Sequence, residues 1–456
     1  MKVLHVSLGL PPLRTGGLTR YSVELMEAQA AAGDEVALLF PGRFLRGKTR
    51  IAEGLWKGIS TFEIVNPLPV ALTYGVAEPR AFMAKCDAPE EYDSFLERLD
   101  PDVIHVHSYQ GVHREFFEAA KAKGIPIVLT THDYYSICPR ATLVDRAGAS
   151  CDGPSSEKCA SCCYGVGMTM KKSRIMQSRL YARLKDSRAL RAVAGKVKRG
   201  MSLGGDGPSK EGKTVDSRAI ESFGALLEYN ASILSMVDLV ASNSALTERI
   251  YRVYFPDAKF RLVPGTHAGL VRSERSGSRR KDVDKPKIAY LGGMKPYKGY
   301  GTLLAACGAL HDEGVAFQLD LYGDEYEQPQ GLPEVVCGGR VPPDETRDIL
   351  RAHDVVVVPS ICHETCGFVV LEALCEGVRV VCSDAVGASE LVERSFVFDA
   401  GDFSDLTKKL SKACYSLNNV AQIPDSYPLS LHAQVDALKR AYCDLAEEGG
   451  KGQGLY

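Results

Sequence analysis

The chain has 456 residues, 45% hydrophobic and 25% charged, an ordinary balance for a globular protein long enough to form two or three domains around a sizeable core. Its net charge of −2 excludes a polycation built to bind nucleic acid along its length, so no nucleic-acid partner is expected. MKVLHVSLGLPP lacks the long apolar core and small-residue cleavage site of a secretory leader. No run of about 18 apolar residues occurs, so no membrane-spanning helix is expected either. Fourteen scattered cysteines without a leader point to a reducing cytoplasmic setting, with most thiols packed as small hydrophobes.

In chain order, short β-branched runs alternate with helical patterns. The strand KVLHVS (2–7) leads into the loop PPLRTGGLTRYSVEL (11–25) and a helix over 19–33. Gly16 and Gly17 lack a Cβ, so either a ligand approaches the backbone there, next to a helix N-terminus, or the loop is a tight turn. The glycines do not spell G-x-G-x-x-G, so a dinucleotide is not indicated. VALLF (36–40) and DVIHVHS (102–108) follow, and alternation places His105 and His107 on one face of the second. PIVLTT (126–131) ends in THDYYSICPR, so His132 and Asp133 sit where a strand's carboxyl end meets a cleft, as structural or functional groups.

Next come Cys138, Cys151, Cys159, Cys162 and Cys163. Cys159-x-x-Cys162 has metal-ligand spacing, and with Cys138 and Cys151 it makes a candidate structural zinc site. Buried free thiols or a disulfide are the alternatives. Residues 168–200 hold eleven Lys/Arg against one acid, Asp186, with Met176, Leu180 and Leu184 at steps of four. A basic amphipathic helix suits an anionic membrane surface, or it packs on the domain as a solvated helix. The Gly/Ser/Lys-rich stretch 200–216 reads as flexible.

DLVASN (238–243) and FRLVP (260–264) close the first half. The polar RSERSGSRRKDVDKP (272–286) then reads as a linker, after which KIAYLG (287–292), FQLDLYG (317–323), DVVVVPS (354–360) and VRVVCSD (378–384) restart the alternation. Continuous apolar strands suit parallel sheets covered on both faces. The expected fold is α/β: two Rossmann-like doubly wound domains facing a cleft, with a basic helical and flexible insertion in the first. The expected boundaries are 1–270, with the insertion at about 138–220, then a linker 271–286, a second domain 287–425, and a terminal helix within 426–456 packing back on the first domain.

Two features of the second half carry chemistry. Lys298 precedes Gly299 and a helix, well placed for a diphosphate or simply solvated. In HETCGFVVLEALCEG (363–377), Glu364 lies on a loop and Glu372 about a turn and a half into a helix capped by Gly377. The amides of Cys366, Gly367 and Phe368 start that helix and form a natural anion site. Carboxylates accept hydrogen bonds from vicinal hydroxyls, so both glutamates suit sugar rings. Glu372 has apolar neighbours on both sides, which argues against a plain surface residue.

These pieces in this order resemble the family 4 glycosyltransferases of GT-B fold over nearly the whole chain outside 168–220. The most specific part is DVVVVPSICHETCGFVVLEALCEGVRVVCSDAVGASELV (354–392), which looks like the family's E-x7-E motif in context. GGRVPPDETRDIL (338–350) and the YGD of 322–324 also match. The resemblance implies a retaining enzyme with no bound metal or cofactor required for catalysis, acting on a nucleotide sugar such as a UDP- or GDP-sugar. It implies donor-sugar contact for Glu364, ribose contact for Glu372, diphosphate binding for Lys298 and a place near the reacting sugar for His132. It further implies donor contacts from Gly16, Gly17, Cys366, Gly367 and Phe368, and Val341 near the base. Gly293 stands where many relatives have Arg, leaving Lys298, with Lys295, as the side-chain cations. The turn PGTHAG (264–269) replaces an Asn-Gly turn. The expected acceptor is a cell-surface polysaccharide or lipid-linked glycan, met at the inner face of the plasma membrane through 168–200. A sugar-nucleotide epimerase or a non-catalytic binder are the competing readings.

Overall fold

A computed structural model describes residues 1–178, 180–181, 215–273, 284–342, 345–417 and 422–448. Parallel sheets carry the fold. The strands of the first are β1 (Lys2–Val6), β2 (Glu35–Pro41), β3 (Arg50–Trp56), β4 (Ile59–Val65), β5 (Val103–Val106), β6 (Ile127–Thr130), β7 (Leu239–Ser242) and β8 (Phe260–Leu262). Their order is β3-β4-β2-β1-β5-β6-β7-β8, parallel except for the antiparallel β3–β4 pair. The second sheet runs β11-β10-β9-β12-β13-β14, all parallel, from β9 (Lys287–Leu291), β10 (Gln318–Tyr322), β11 (Val335–Gly339), β12 (Val355–Val358), β13 (Arg379–Ser383) and β14 (Val397–Phe398). The apolar strands are covered on both faces: every residue of β5, β6, β7 and β12 is buried. The doubly wound α/β fold expected from the sequence is the one found.

The β3–β4 hairpin was not among the strands read from the sequence. It closes on a two-residue Lys57–Gly58 turn, with Trp56 opposite Ile59. β3 is an edge strand with most of its residues at least partly exposed, so it lacks the apolar run that marks the others.

Residues 138–178, within the expected insertion, pack onto the first sheet. Cys138, Leu143, Cys159, Ala160, Cys163 and Met168 belong to the core of the first sheet's outer face, and Met168 bridges to Val76. Their apolar side chains are what hold the segment down. Met176 packs partly on this core, whereas Ile175 and Leu180 are exposed. Leu184, most of the basic 168–200 stretch, the flexible stretch and much of the expected linker (274–283) lie outside the described residues.

The terminal helix Leu431–Glu448 crosses back to the first sheet. Val435, Leu438 and Tyr442 share a buried cluster with Val3, Leu25 and Val103. Ion pairs Lys439–Asp34, Arg261–Asp444 and Lys259–Glu448 frame the contact at 3.0, 2.6 and 2.5 Å. Leu438 is fully buried, so Leu438→Ala is expected to destabilise the protein by about 2–5 kcal/mol in urea unfolding. A loss below about 0.5 kcal/mol would mean that the helix is not docked there.

Candidate active site

In parallel sheets the loops that can meet a ligand leave the carboxyl ends of the strands. Here the loops after β6 and β12 meet each other. Thr365 Oγ1 donates to the His132 carbonyl at 3.4 Å, and Thr247 Oγ1 donates to the Thr365 carbonyl at 2.9 Å. The loop after β12 is pinned from behind by backbone bonds from Glu364 to Ala385, Gly387 to Glu364 and Ala388 to Cys366 at 2.9, 2.9 and 2.7 Å.

Glu364 points at Lys298. Lys298 Nζ lies 2.8 Å from Glu364 Oε1, and the Ser360 hydroxyl donates to the same oxygen. Burial pushes the Glu364 carboxyl up, but the charge of Lys298 and the two hydrogen bonds outweigh it and hold the group below its ordinary value. Burial likewise opposes the charged form of Lys298, and Glu364 overcomes it, so the ammonium is held above its ordinary value.

Two glycines permit this geometry. Gly299 has φ +74, and a Cβ there would lie 1.6 Å from the Pro359 carbonyl oxygen, one residue before Ser360. Gly367 caps the helix Phe368–Cys375 with φ +86, where a Cβ would lie 2.3 Å from Val386 Cγ1. Glycine at the cap cannot supply a side-chain acceptor. Among the described residues no carbonyl pairs with the amides of Cys366, Gly367 and Phe368. They stay available for an anion or a hydroxyl.

Glu372 sits half-buried on that helix, beside a neighbour that the sequence did not reveal. His267 Nε2 lies 3.1 Å from Glu372 Oε1. His267 Nδ1 accepts from Arg20 Nη2 and from the Gly269 amide, each at 3.1 Å. In its neutral form His267 therefore carries its proton on Nε2, which lies close to the carboxylate without a directed hydrogen bond to it. A cavity of about 500 Å3 opens beside them, lined by Arg20, His267, Arg347, Glu372 and Glu376 among others. Arg347 and Arg351 both hold Glu376. His267 lies in the turn PGTHAG, whose departure from the family pattern was the one available signal.

The helix Gly17–Ala31 serves both ends of the site. It sends Arg20 to His267, and Tyr21 stacks edge-on against His132 with ring centroids 4.4 Å apart. Burial pushes His132 down to about 3, so it is neutral. Its Nε2 meets His107 Nδ1 at 3.2 Å. Asp133 is pushed up to about 6 by burial and is tied to the Tyr135 amide and Gln110. His105 bonds Tyr442 and Thr130.

Gly16 and Gly17 begin the Arg20 helix, and a Cβ on either would meet nothing within 4 Å. Gly293 lies nearest Asp324, and Lys295 covers the ring of Tyr297 instead of joining Lys298. Val341 lies two residues after β11. Cys138, Cys151, Cys159 and Cys162, the expected structural zinc ligands, line one pocket together with Cys163. Among the described residues the one set of three or more metal-ligating groups within 4.8 Å is His5, His105 and His107. The Cys151 thiol turns to the Gly153 carbonyl, while Cys138 and Cys159 pack in the core.

The Lys298–Glu364 pair predicts a pH signature. The Glu364 contribution is present above the ordinary carboxyl value of 4.5 and is lost as pH falls through the depressed folded value. The Lys298 contribution is complete below 10.5 and is lost as pH rises through the raised folded value. Glu364→Gln should therefore cost about 1–3 kcal/mol near neutral pH, less than a fully buried pair because Lys298 keeps 36% of its side chain exposed. It should also flatten the acid limb. Chemical unfolding between pH 3 and 8 reads both effects, and parallel curves for the two proteins would refute them.

Comparison with known proteins agrees with this architecture. Residues 285–415 match the family Glycosyl transferases group 1, and residues 15–153 match Glycosyltransferase Family 4. The D-inositol 3-phosphate glycosyltransferase of Corynebacterium jeikeium is 28% identical over 286 residues, covering 56% of this chain and 66% of the relative's length. The sucrose-phosphate synthase of Thermosynechococcus elongatus superposes with a TM-score of 0.57 at 16% identity, over 98% of this chain and 99% of the other. Anabaena HepE, solved with UDP and glucose, gives a TM-score of 0.52 at 13% identity, over 97% and 99%. The E-x7-E segment lies inside the first match, the glycine loop and His132 inside the second, and both structural relatives share the two-sheet fold. The chain belongs to the family 4 glycosyltransferases of GT-B fold.

Proposed function

We propose that the protein moves a sugar from a nucleotide sugar to a cell-surface polysaccharide or lipid-linked glycan, with retention of anomeric configuration. The observation that carries this reading is the Glu364–Lys298 pair beside three unpaired helix-start amides, facing His132 across the cleft. In this reading the donor diphosphate lies between Lys298 and the amides of Cys366, Gly367 and Phe368. Their positive ends stabilise the charge that develops on the leaving group. Glu364 accepts a donor-sugar hydroxyl, and Glu372, beside His267, accepts the ribose hydroxyls. Gly16 and Gly17 leave room for the donor phosphates and the acceptor, and Val341 lies towards the base. No side chain is assigned as a nucleophile, and no metal or cofactor is needed for the transfer. Cleft closure would keep water from the donor.

The complex of HepE with UDP and glucose makes UDP-sugars the first donors to test, with GDP- and ADP-sugars beside them. Thermal shift followed by donor hydrolysis is the screen, and absence of stabilisation by every nucleotide sugar would sink the reading. Glu372→Ala should weaken nucleotide binding about 10- to 100-fold with little change in kcat, and Glu364→Ala should lower kcat by a similar factor with binding largely kept. Normal nucleotide affinity in Glu372→Ala would overturn its assignment.

No described helix is long and apolar enough to cross a membrane. We place the protein peripherally on the inner face of the plasma membrane, where exposed Ile175 and Leu180 beside Lys171, Lys172 and Arg174 suit an anionic surface. Sedimentation with vesicles should show tighter partitioning to anionic than to zwitterionic lipid, and equal partitioning removes this part of the proposal.

A further inference from the structure

Buried histidines line one face of the first sheet. His5 on β1 pairs in register with His105 on β5, and His107 follows two residues on. All three are 0–1% exposed. They hold no carboxylate among them, and each of their six ring nitrogens already has a hydrogen-bond partner. Hydrogen bonding, not metal binding, therefore accounts for the cluster.

Three of these contacts form a line that ends in the cleft. Gln29 Oε1 meets His5 Nε2 at 2.7 Å, His5 Nδ1 meets His107 Nε2 at 2.9 Å, and His107 Nδ1 meets His132 Nε2 at 3.2 Å. His132 Nδ1 has no protein partner among the described residues and is not sealed from solvent. Burial keeps the imidazoles neutral, with His5 pushed down to about 4 and His107 also well below its ordinary value. A neutral imidazole has one N–H and one bare nitrogen, and each nitrogen–nitrogen contact needs one of each. The proton positions are thus locked together, and only two registers exist for the whole line. The Gln29 carboxamide chooses between them. With its oxygen on His5 Nε2, each imidazole donates from Nε2 and accepts at Nδ1, which leaves His132 Nδ1 bare at the cleft. With the carboxamide reversed, His132 Nδ1 would carry the proton.

We propose that Gln29, His5 and His107 are positioning residues that fix the tautomer of His132, so that it meets a donor-sugar hydroxyl as an acceptor. What His132 meets rests on the donor-site reading above; the tautomer itself does not. Protein labelled with 15N-histidine shows directly which ring nitrogens are protonated. The expected spectrum has His5, His107 and His132 each protonated at Nε2 and bare at Nδ1. Gln29→Met removes the register anchor, so His132 should become a tautomer mixture. Transfer kcat should then fall about two-fold or more, as the competent fraction drops, while nucleotide affinity stays unchanged. Protonation of His132 at Nδ1 in the unmodified protein overturns the proposal, as does an unchanged His132 tautomer in Gln29→Met. Should that variant fail to fold, the spectrum of the unmodified protein still decides. An intact tautomer pattern in a protein that transfers no sugar counts against the donor-site reading alone.

Discussion

The arrangement of the cleft depends on how one carboxylate is kept charged in a nearly dry place. Glu364 has lost most of its water, so Lys298 and Ser360 must replace it. That requirement orders the parts around it. The lysine has to stand at the start of its helix, and the backbone at Gly299 has to press against Pro359. The loop carrying Glu364 has to be strapped to residues 385–388. A consequence follows at the next helix. The side chains nearest its N-terminus are committed elsewhere, Glu364 to Lys298 and Thr365 to His132, so neither caps it. The open amides are a by-product of satisfying the carboxylate.

The opposing wall uses different means for the same end. At the His132 side chain the first domain presents neutral partners, Tyr21 and His107. It offers a neutral imidazole backed by further neutral imidazoles, each with its nitrogens paired. Neutral groups can line a buried sheet face without the penalty of isolated charges, provided their donors and acceptors match. One wall of the cleft is thus ionic and the other is a matched line of dipoles. The helix Gly17–Ala31 couples them, since Tyr21 packs on His132 while Arg20 reaches His267 beside Glu372. The terminal helix adds a second tie, because Tyr442 closes the histidine layer through His105.

Most of the sheet and part of the site were legible without coordinates. Strands such as VVVV at 355–358 announce burial on both faces, and the E-x7-E segment carries its own loop-to-helix transition. Local features missed the β3–β4 hairpin, whose exposed edge lacks an apolar run. The cysteine spacing was legible as well, and the fold gathers Cys138, Cys151, Cys159 and Cys162 around one pocket.

The sequence by itself determined the α/β alternation, the paired sheets, the places of Glu364, Lys298 and His132 at strand ends and helix starts, and that of Glu372 within its helix. These follow from local patterning, in which neighbours along the chain decide burial and turn. Only the tertiary structure decided the partners. His267 for Glu372, Arg20 behind it, Ser360 and Lys298 for Glu364, and the line from Gln29 to His132 join residues from 4 to 247 positions apart. Most of these pairings arise where strands distant in sequence lie side by side and where two domains close on one cleft, and there a buried polar atom must take whichever partner packing brings within reach.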